Sequence, residues 1–481
     1  MSKSSQRNIK WVEGLRGITS ALVITTHVAR AFDFALFWPA DKKDAAPRLL
    51  QLPYLRIPYQ GRLGVPIFAF LTGFVCAYKP LKLAYQHGNI PGSLKSVARS
   101  AFRRPPRLML PAMIATFFSF VLSCFGAYTA ANRCDSFWVR FDAPGYMPFR
   151  QNVRRLFTAF LTTWTSTDNP FDRHQWAMRP LLIGAFQVYV VLAATIGMRF
   201  KYRILVHVLM IFYWLYNVGF LTETFGANLA LGTLLAELAQ HRPTQNFITT
   251  HQRIFTFVLA PMLLLLGGYI GSYPQEHEDW ADWSMNLHNM LLNPNPEKDG
   301  ENEGSIFVPK GTNVHRRTSA FMIYCTAISI FVSPAIQKLL SHRWLLWLGH
   351  HSFAVYLVHG TLLRTVAIWI AYGITGQPWQ EAAKNVDGSP AEPQEWIRPK
   401  SRSHKLLAIV IFTALTYTAA WAWMKWVDTA CARATQWLEE RVFEDEDPDG
   451  RAGLAEKGYA HVNGNGIIAS PDRTDKSQPP P

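Results

Sequence analysis

Apolar runs of about 18 or more residues recur along the chain, and polar or basic stretches separate them. Clear cases are "RLMLPAMIATFFSFVLSCF" (107–125), "RPLLIGAFQVYVVLAATIGM" (179–198), "IFTFVLAPMLLLLGGYI" (254–270) and "LLAIVIFTALTYTAAWAW" (406–423). Each is long enough to span the hydrocarbon core of a bilayer as a helix. The pattern predicts an all-α, polytopic transmembrane helical bundle with about ten spans. These lie near 10–32, 62–80, 107–128, 178–198, 203–220, 226–240, 254–273, 318–339, 344–372 and 406–426. The sixth is short, and 155–165 reads as a re-entrant or interfacial piece.

An even number of spans puts both termini on one side. Basic loops stay in the cytosol. "KPLKLAYQHGNIPGSLKSVARSAFRRPPR" (79–107) and "RFKYR" (199–203) therefore assign both termini there, although 133–173 on the opposite side also carries arginines. The predicted organisation is a cytosolic N-terminus (1–8), a membrane domain (9–441) and a disordered cytosolic tail (442–481) poor in apolar residues. Outer or lumenal loops fall near 274–317 and 375–404. The first apolar stretch is too long and too interrupted for a cleaved signal and reads as a retained helix. The expected location is integral to a membrane, multi-pass, with plasma membrane and endomembrane not distinguished.

Composition agrees. Of 481 residues, 49% are hydrophobic and only 17% charged, against about a quarter charged in a soluble domain. The net charge of +15 comes without a basic recognition helix, zinc pattern or aromatic-basic sheet motif. It is read as juxtamembrane Lys and Arg facing anionic lipid, so the lipid bilayer is the expected partner and nucleic acid is not. The five cysteines show neither metal spacing nor a disulfide framework, "GHH" (349–351) is too weak to name a metal, and no metal is expected.

Against this background the ionisable groups inside apolar spans stand out, because each is costly there and marks function by default. "EGLRGITSALVITTH" carries Arg16 and His27, eleven positions apart. That is three helical turns plus roughly 20°, so they share a face about 16 Å apart along the axis. "WLGHHSFAVYLVHGTLLR" carries Ser352, Tyr356 and His359 at spacings of four and three, again one face. His27 lies about 25 Å and His359 about 22 Å from the start of its own span, which puts them at similar depth. "RRPPRLMLP" offers Arg103, Arg104 and Arg107 at the entrance of the third span, either as a basic anchor or as guanidinium forks for phosphate.

Together these pieces resemble the acyltransferase-3 family of integral membrane acyltransferases, in its fungal style. "RGITSALVITTH" is similar to the family's Arg and His in the first span, and "GRLGVPIFAFLTGF" (61–74) to its next motif. "RRPPRLMLP", "NLALGTLLAEL" (228–238), "WLGHHSFAVYLVHGTLL" (347–363) and "VDTACARATQWLEE" (427–440) follow in family order. The likeness covers roughly 8–441. One departure falls in "HQWAMRPLLIGAFQV" (174–188): many relatives read Trp-Thr-x-x-x-Glu, whereas Ala177 and Leu181 follow Trp176 here. An acid that would partner a buried His or Arg is thus missing from its usual place.

The resemblance implies transfer of an acyl group, often acetyl, from acyl-CoA to a hydroxyl-bearing acceptor. Acyl-CoA, acetyl-CoA in the simplest case, would be a co-substrate, with no tightly bound cofactor. His27 would be the base that takes the hydroxyl proton. Arg103, Arg104, Arg107 and Arg16 would hold the donor's phosphates, and Tyr356 or His359 would orient the acceptor or the oxyanion. No G-x-S-x-G nucleophile motif suggests a covalent acyl-enzyme. A membrane transporter, and a catalytically weakened relative that binds lipid or acyl-CoA, remain as alternative readings.

Overall fold

The computed structural model describes residues 9–216, 223–292, 313–383, 385 and 392–443. The expected N-terminus (1–8), residues 217–220 of the fifth span, parts of both outer loops (293–312, 384 and 386–391) and 444–481 of the tail lie outside them. The chain divides into two units, Met1–Thr435 and Gln436–Pro481. In the described part of the second, Gln436 donates to the Glu440 carboxylate at 2.7 Å, one helical turn on. Everything below concerns the first unit.

Among the described residues the elements are helical, with one isolated bridge between Cys134 and Ile397. The helices used here are α1 (Lys10–Phe32), α2 (Gly64–His87), α3 (Ile90–Cys124), α4 (Phe149–Thr165), α5 (Met178–Thr195), α6 (Phe200–Tyr216), α7 (Glu223–Gln240), α8 (Ala260–Gly271), α9 (Val314–Val332), α10 (Pro334–Leu340), α11 (Arg343–Leu362) and α12 (Arg402–Trp423). Among the described residues, six helical stretches are long and apolar enough to cross a membrane. They are Gly64–His87, Ile90–Cys124, Arg173–Thr195, Gln252–Gly271, Arg343–Tyr372 and one that begins at Arg402. The pair α9 and α10 makes a seventh if counted as one span, bent by 102° where Ser333 meets Pro334, a residue with no N–H to continue the ladder.

The segments read at 10–32, 203–220 and 226–240 are helical as α1, α6 and α7 but fall outside that set. For α1 the reason is visible in its composition. Lys10, Glu13, Arg16, His27 and Arg30 interrupt the apolar run, and one flank is buried through Trp11, Leu15, Ile24 and Ala29. Between α2 and α3 the chain turns on Gly88, at φ +62°, and Asn89 caps α3 by accepting from the Gly92 N–H at 2.7 Å. At 35 residues α3 runs about 52 Å, well beyond a hydrocarbon core of about 30 Å. The surplus holds the basic stretch from Lys95 to Arg107.

Two large apolar clusters form the interior. One gathers Trp11, Phe70, Phe74, Leu192 and Leu229. The other gathers Ile24, Tyr128, Met178, Val355, Leu357 and Phe412 around the middle of α1 and α11. Contact between α1 and α11 is backbone to backbone. A Cβ on Gly17 would lie 2.5 Å from the Leu345 carbonyl oxygen, and one on Gly349 would lie 1.9 Å from the Glu13 carbonyl oxygen. Only glycine permits this approach. It fixes the two helices side by side and running the same way.

Candidate functional site

Gly17 and Gly349 meet, and ten residues further along each helix lie His27 and His359. Equal advance along two parallel helices brings the imidazoles level. His27 Nδ1 and His359 Nε2 are 2.8 Å apart. The similar depth derived for these residues is thus a direct contact. His359 Nδ1 faces the carbonyl oxygens of Val355 and Tyr356 at 3.0 and 2.8 Å. A carbonyl oxygen can only accept, so Nδ1 carries the hydrogen and Nε2 is bare. His27 must then donate from Nδ1, and its own Nε2 keeps a lone pair. Trp138 stacks on the His27 ring with centroids 5.2 Å apart.

A third histidine completes the group. His174 precedes α5, and its ring lies 4.2 Å from His27 and 4.9 Å from His359, centroid to centroid. Its Nδ1 is 3.0 Å from Asp172 Oδ1. Arg364 Nη2 donates to the same oxygen at 2.7 Å, while its Nε donates to the Gly360 carbonyl at 2.9 Å and its Nη1 to the Asp142 carbonyl. Burial pushes the Asp172 carboxyl up, but the His174 hydrogen bond and the Arg364 charge outweigh it and hold it at about 2. An ionised Asp172 only accepts, so His174 donates from Nδ1 and its Nε2 is bare. That nitrogen is buried and has no partner.

The loop carrying Asp172 and His174 is held from several sides. Asn169 Oδ1 accepts from the Phe171 and Asp172 N–H groups, and its amide donates to Thr116 and Thr163. Tyr356 donates its hydroxyl to the His174 carbonyl. Gly360 leaves the room the loop needs, because a Cβ there would meet His174 Nδ1 at 2.5 Å. Arg364 sits in a π-helical turn, Leu363–Ala367, at the end of α11. Such turns re-aim side chains and recur at functional sites.

Two cavities approach the cluster. One, of about 270 Å³, is lined by Arg16, Thr72, Arg104, Arg107, Leu181, Ser352 and Tyr356. The other, of about 340 Å³, is lined by His27, Arg30, Trp138, Asp142, Arg173, His174 and Trp176. So α1 contributes Arg16 to the first and His27 to the second. Neighbours on the Asp172 loop divide likewise: Trp176 faces the second cavity and Ala177 the first. Arg16 also pairs with Glu13 at 3.3 Å. Of the seven residues singled out from sequence, His27, His359 and Tyr356 lie together and Arg16, Arg104 and Arg107 share a cavity wall with Tyr356. Arg103 is not on that wall.

Residues 9–422 match the family model described as an acyltransferase domain, that of the acyltransferase-3 family. This protein belongs to that family. It is an acyltransferase, and its apolar helices mark it as a membrane protein. It is 22% identical over 472 residues to O-acetyltransferase PaAT-1 of Phomopsis amygdali, covering 92% of this chain and 86% of the relative. It is 23% identical over 415 residues to acyltransferase clz18 of Cochliobolus lunatus, covering 73% of this chain and 82% of that one. No solved structure matches the chain.

Sequence reasoning passed over His174, Asp172 and Arg364. Arg364 was detectable, since an arginine inside an apolar span is costly and needs a partner. Asp172 and His174 lie in a polar loop, where such residues are ordinary. Leu181, where the resemblance leads one to expect an acid, is on the wall of the arginine-lined cavity. Asp172, ion-paired with Arg364, and Asp142 are buried acids of this site.

Proposed function

We propose that this acyltransferase is a multi-pass integral membrane enzyme that moves an acyl group, of the acetyl class, from acyl-CoA to a hydroxyl of its acceptor. The observation that carries the reading is the hydrogen-bonded histidine cluster beside a cavity lined by His27 and His174, with a second cavity, lined by three arginines, that reaches Tyr356 on the helix of His359. The acetyl class is supported by the name of the Phomopsis amygdali relative.

The donor's phosphates sit against Arg104, Arg107 and Arg16, with Arg103 strengthening the field nearby. The acyl thioester reaches inward past Ser352 and Tyr356. The acceptor occupies the cavity bounded by Trp138 and Trp176. His27 Nε2 takes the acceptor's hydroxyl proton while the oxygen attacks the thioester carbonyl. The tetrahedral intermediate collapses with C–S cleavage, and the proton passes to the departing thiolate. His359 holds His27 in the productive tautomer, and Tyr356 fixes the loop that positions His174. With about ten spans, the basic loops 79–107 and 199–203 support a cytosolic placement of both termini and of the arginine-lined cavity.

A second reading has one observation in its favour: Leu181 stands on the cavity wall where the resemblance leads one to expect an acid, which would suit a protein that binds acyl-CoA or lipid without turnover. Release of free CoA from acetyl-CoA by the purified protein in detergent, with candidate acceptors supplied as extracts, separates the two. Acceptor-stimulated release that is lost in His27→Ala is the expected result. Donor binding without release from the wild type, across the extracts, favours the binding protein.

A further inference from the structure

Three imidazole nitrogens, one each from half-buried His27 and buried His174 and His359, lie within 4.8 Å of one another. We propose that this cluster is a binding site for a single divalent transition ion of the zinc class.

The donor chemistry fits. An imidazole binds metal through a bare nitrogen while the other ring nitrogen is held by a carboxylate or carbonyl. His174 donates from Nδ1 to Asp172 and His359 donates from Nδ1 to its own helix carbonyls, so both present Nε2 without a hydrogen. The His174 Nε2 is a buried polar atom with no partner, an arrangement that costs energy unless something fills it. His27 supplies the third nitrogen by moving its one hydrogen from Nδ1 to Nε2. No proton is gained or lost in the exchange, and the hydrogen bond to His359 gives way to two bonds to the ion. Asp142 Oδ2 lies 3.9 Å from His174 Nε2, and a water from the adjoining cavity would complete a tetrahedral set.

The geometry requires only local adjustment. Tetrahedral bonds of about 2.0–2.1 Å set ligand nitrogens about 3.4 Å apart. The His27–His359 pair, at 2.8 Å, must open slightly, and the third nitrogen, within 4.8 Å of the others, must close by up to about 1.4 Å. The adjoining cavity leaves room for it. An all-imidazole set with a carboxylate favours zinc, copper or nickel over calcium or magnesium. A bound ion would take the His27 nitrogen pair out of proton transfer, so it would inhibit acyl transfer. That consequence rests on the proposed role of His27, whereas binding itself does not.

The test uses the full chain in detergent, purified on a tag without histidine and stripped with chelator, then titrated with Co2+. The expected result is one Co2+ per chain with the intense visible absorption of a tetrahedral site, displaced by Zn2+. It should be lost in His174→Ala and in His359→Gln and retained in His350→Ala. A wild type that takes up no stoichiometric Co2+, or a band that survives all cluster variants, overturns the site. Should His174→Ala not fold by gel filtration, His27→Asn replaces it and must also lose the band. Loss of Co2+ binding concerns the metal site alone. Zn2+ binding without inhibition of CoA release would leave the site standing and remove His27 from catalysis.

Discussion

His27 donates from Nδ1 to His359 Nε2 at 2.8 Å, and the direction of that bond is dictated by the helix carbonyls behind His359. The free lone pair of His27 is therefore on Nε2, and His27 lines the cavity that Trp138 and His174 also line. His27→Ala should lower kcat by about 100- to 10,000-fold with little change in KM for the acyl donor. His359→Phe, which removes the acceptor but keeps a ring, should lower kcat by about 10- to 100-fold. Steady-state CoA release measured on both variants checks the order of the two effects.

Arg104 and Arg107 are assigned to the donor's phosphates. Replacing either by Ala should raise KM for acyl-CoA by about tenfold or more and leave kcat near the wild-type value. Arg103, off the cavity wall, should matter less. A kcat fall without a KM change in Arg104→Ala would place that residue at the reacting carbonyl instead.

Asp172 is buried between Arg364 and His174. Asp172→Asn leaves the Arg364 guanidinium buried without a charge partner, which should cost about 3–5 kcal/mol and appear as a lowered Tm. Asp172→Asn combined with Arg364→Met should recover much of that loss, and an additive double variant would deny the coupling. The pH dependence follows from the same pair. The folded carboxyl, at about 2, lies below its unfolded value near 3.8, so its contribution is present above that unfolded value. It is lost as pH falls from about 4 toward 2. Tm measured across that window should fall more steeply for the wild type than for Asp172→Asn.

Gly349 holds α11 against the Glu13 carbonyl. Gly349→Leu cannot be accommodated by rotating a side chain, because the obstacle is backbone. It should separate the helices, misalign His27 and His359 and lower both Tm and CoA release. Gly145→Ala, where a Cβ meets nothing within 4 Å, should leave both unchanged.

The hydrophobic pattern of this chain was enough to show its helices, because a long apolar run has few ways to satisfy its backbone other than as a helix. It also marked Arg16, His27, Tyr356 and His359, since polar groups in such runs are costly and scarce. The count of spans was less legible: α1 carries too many ionisable groups, and the 318–339 segment breaks at Ser333, which only the backbone path reveals. Tertiary structure decided the site. Gly17 and Gly349, unremarkable as letters, set the register that joins two histidines 332 positions apart. Asp172 and His174 come from a loop whose polarity is ordinary by composition and whose burial is not. Sequence carries the local cost of each residue, but the partner that offsets that cost lies wherever packing brings it.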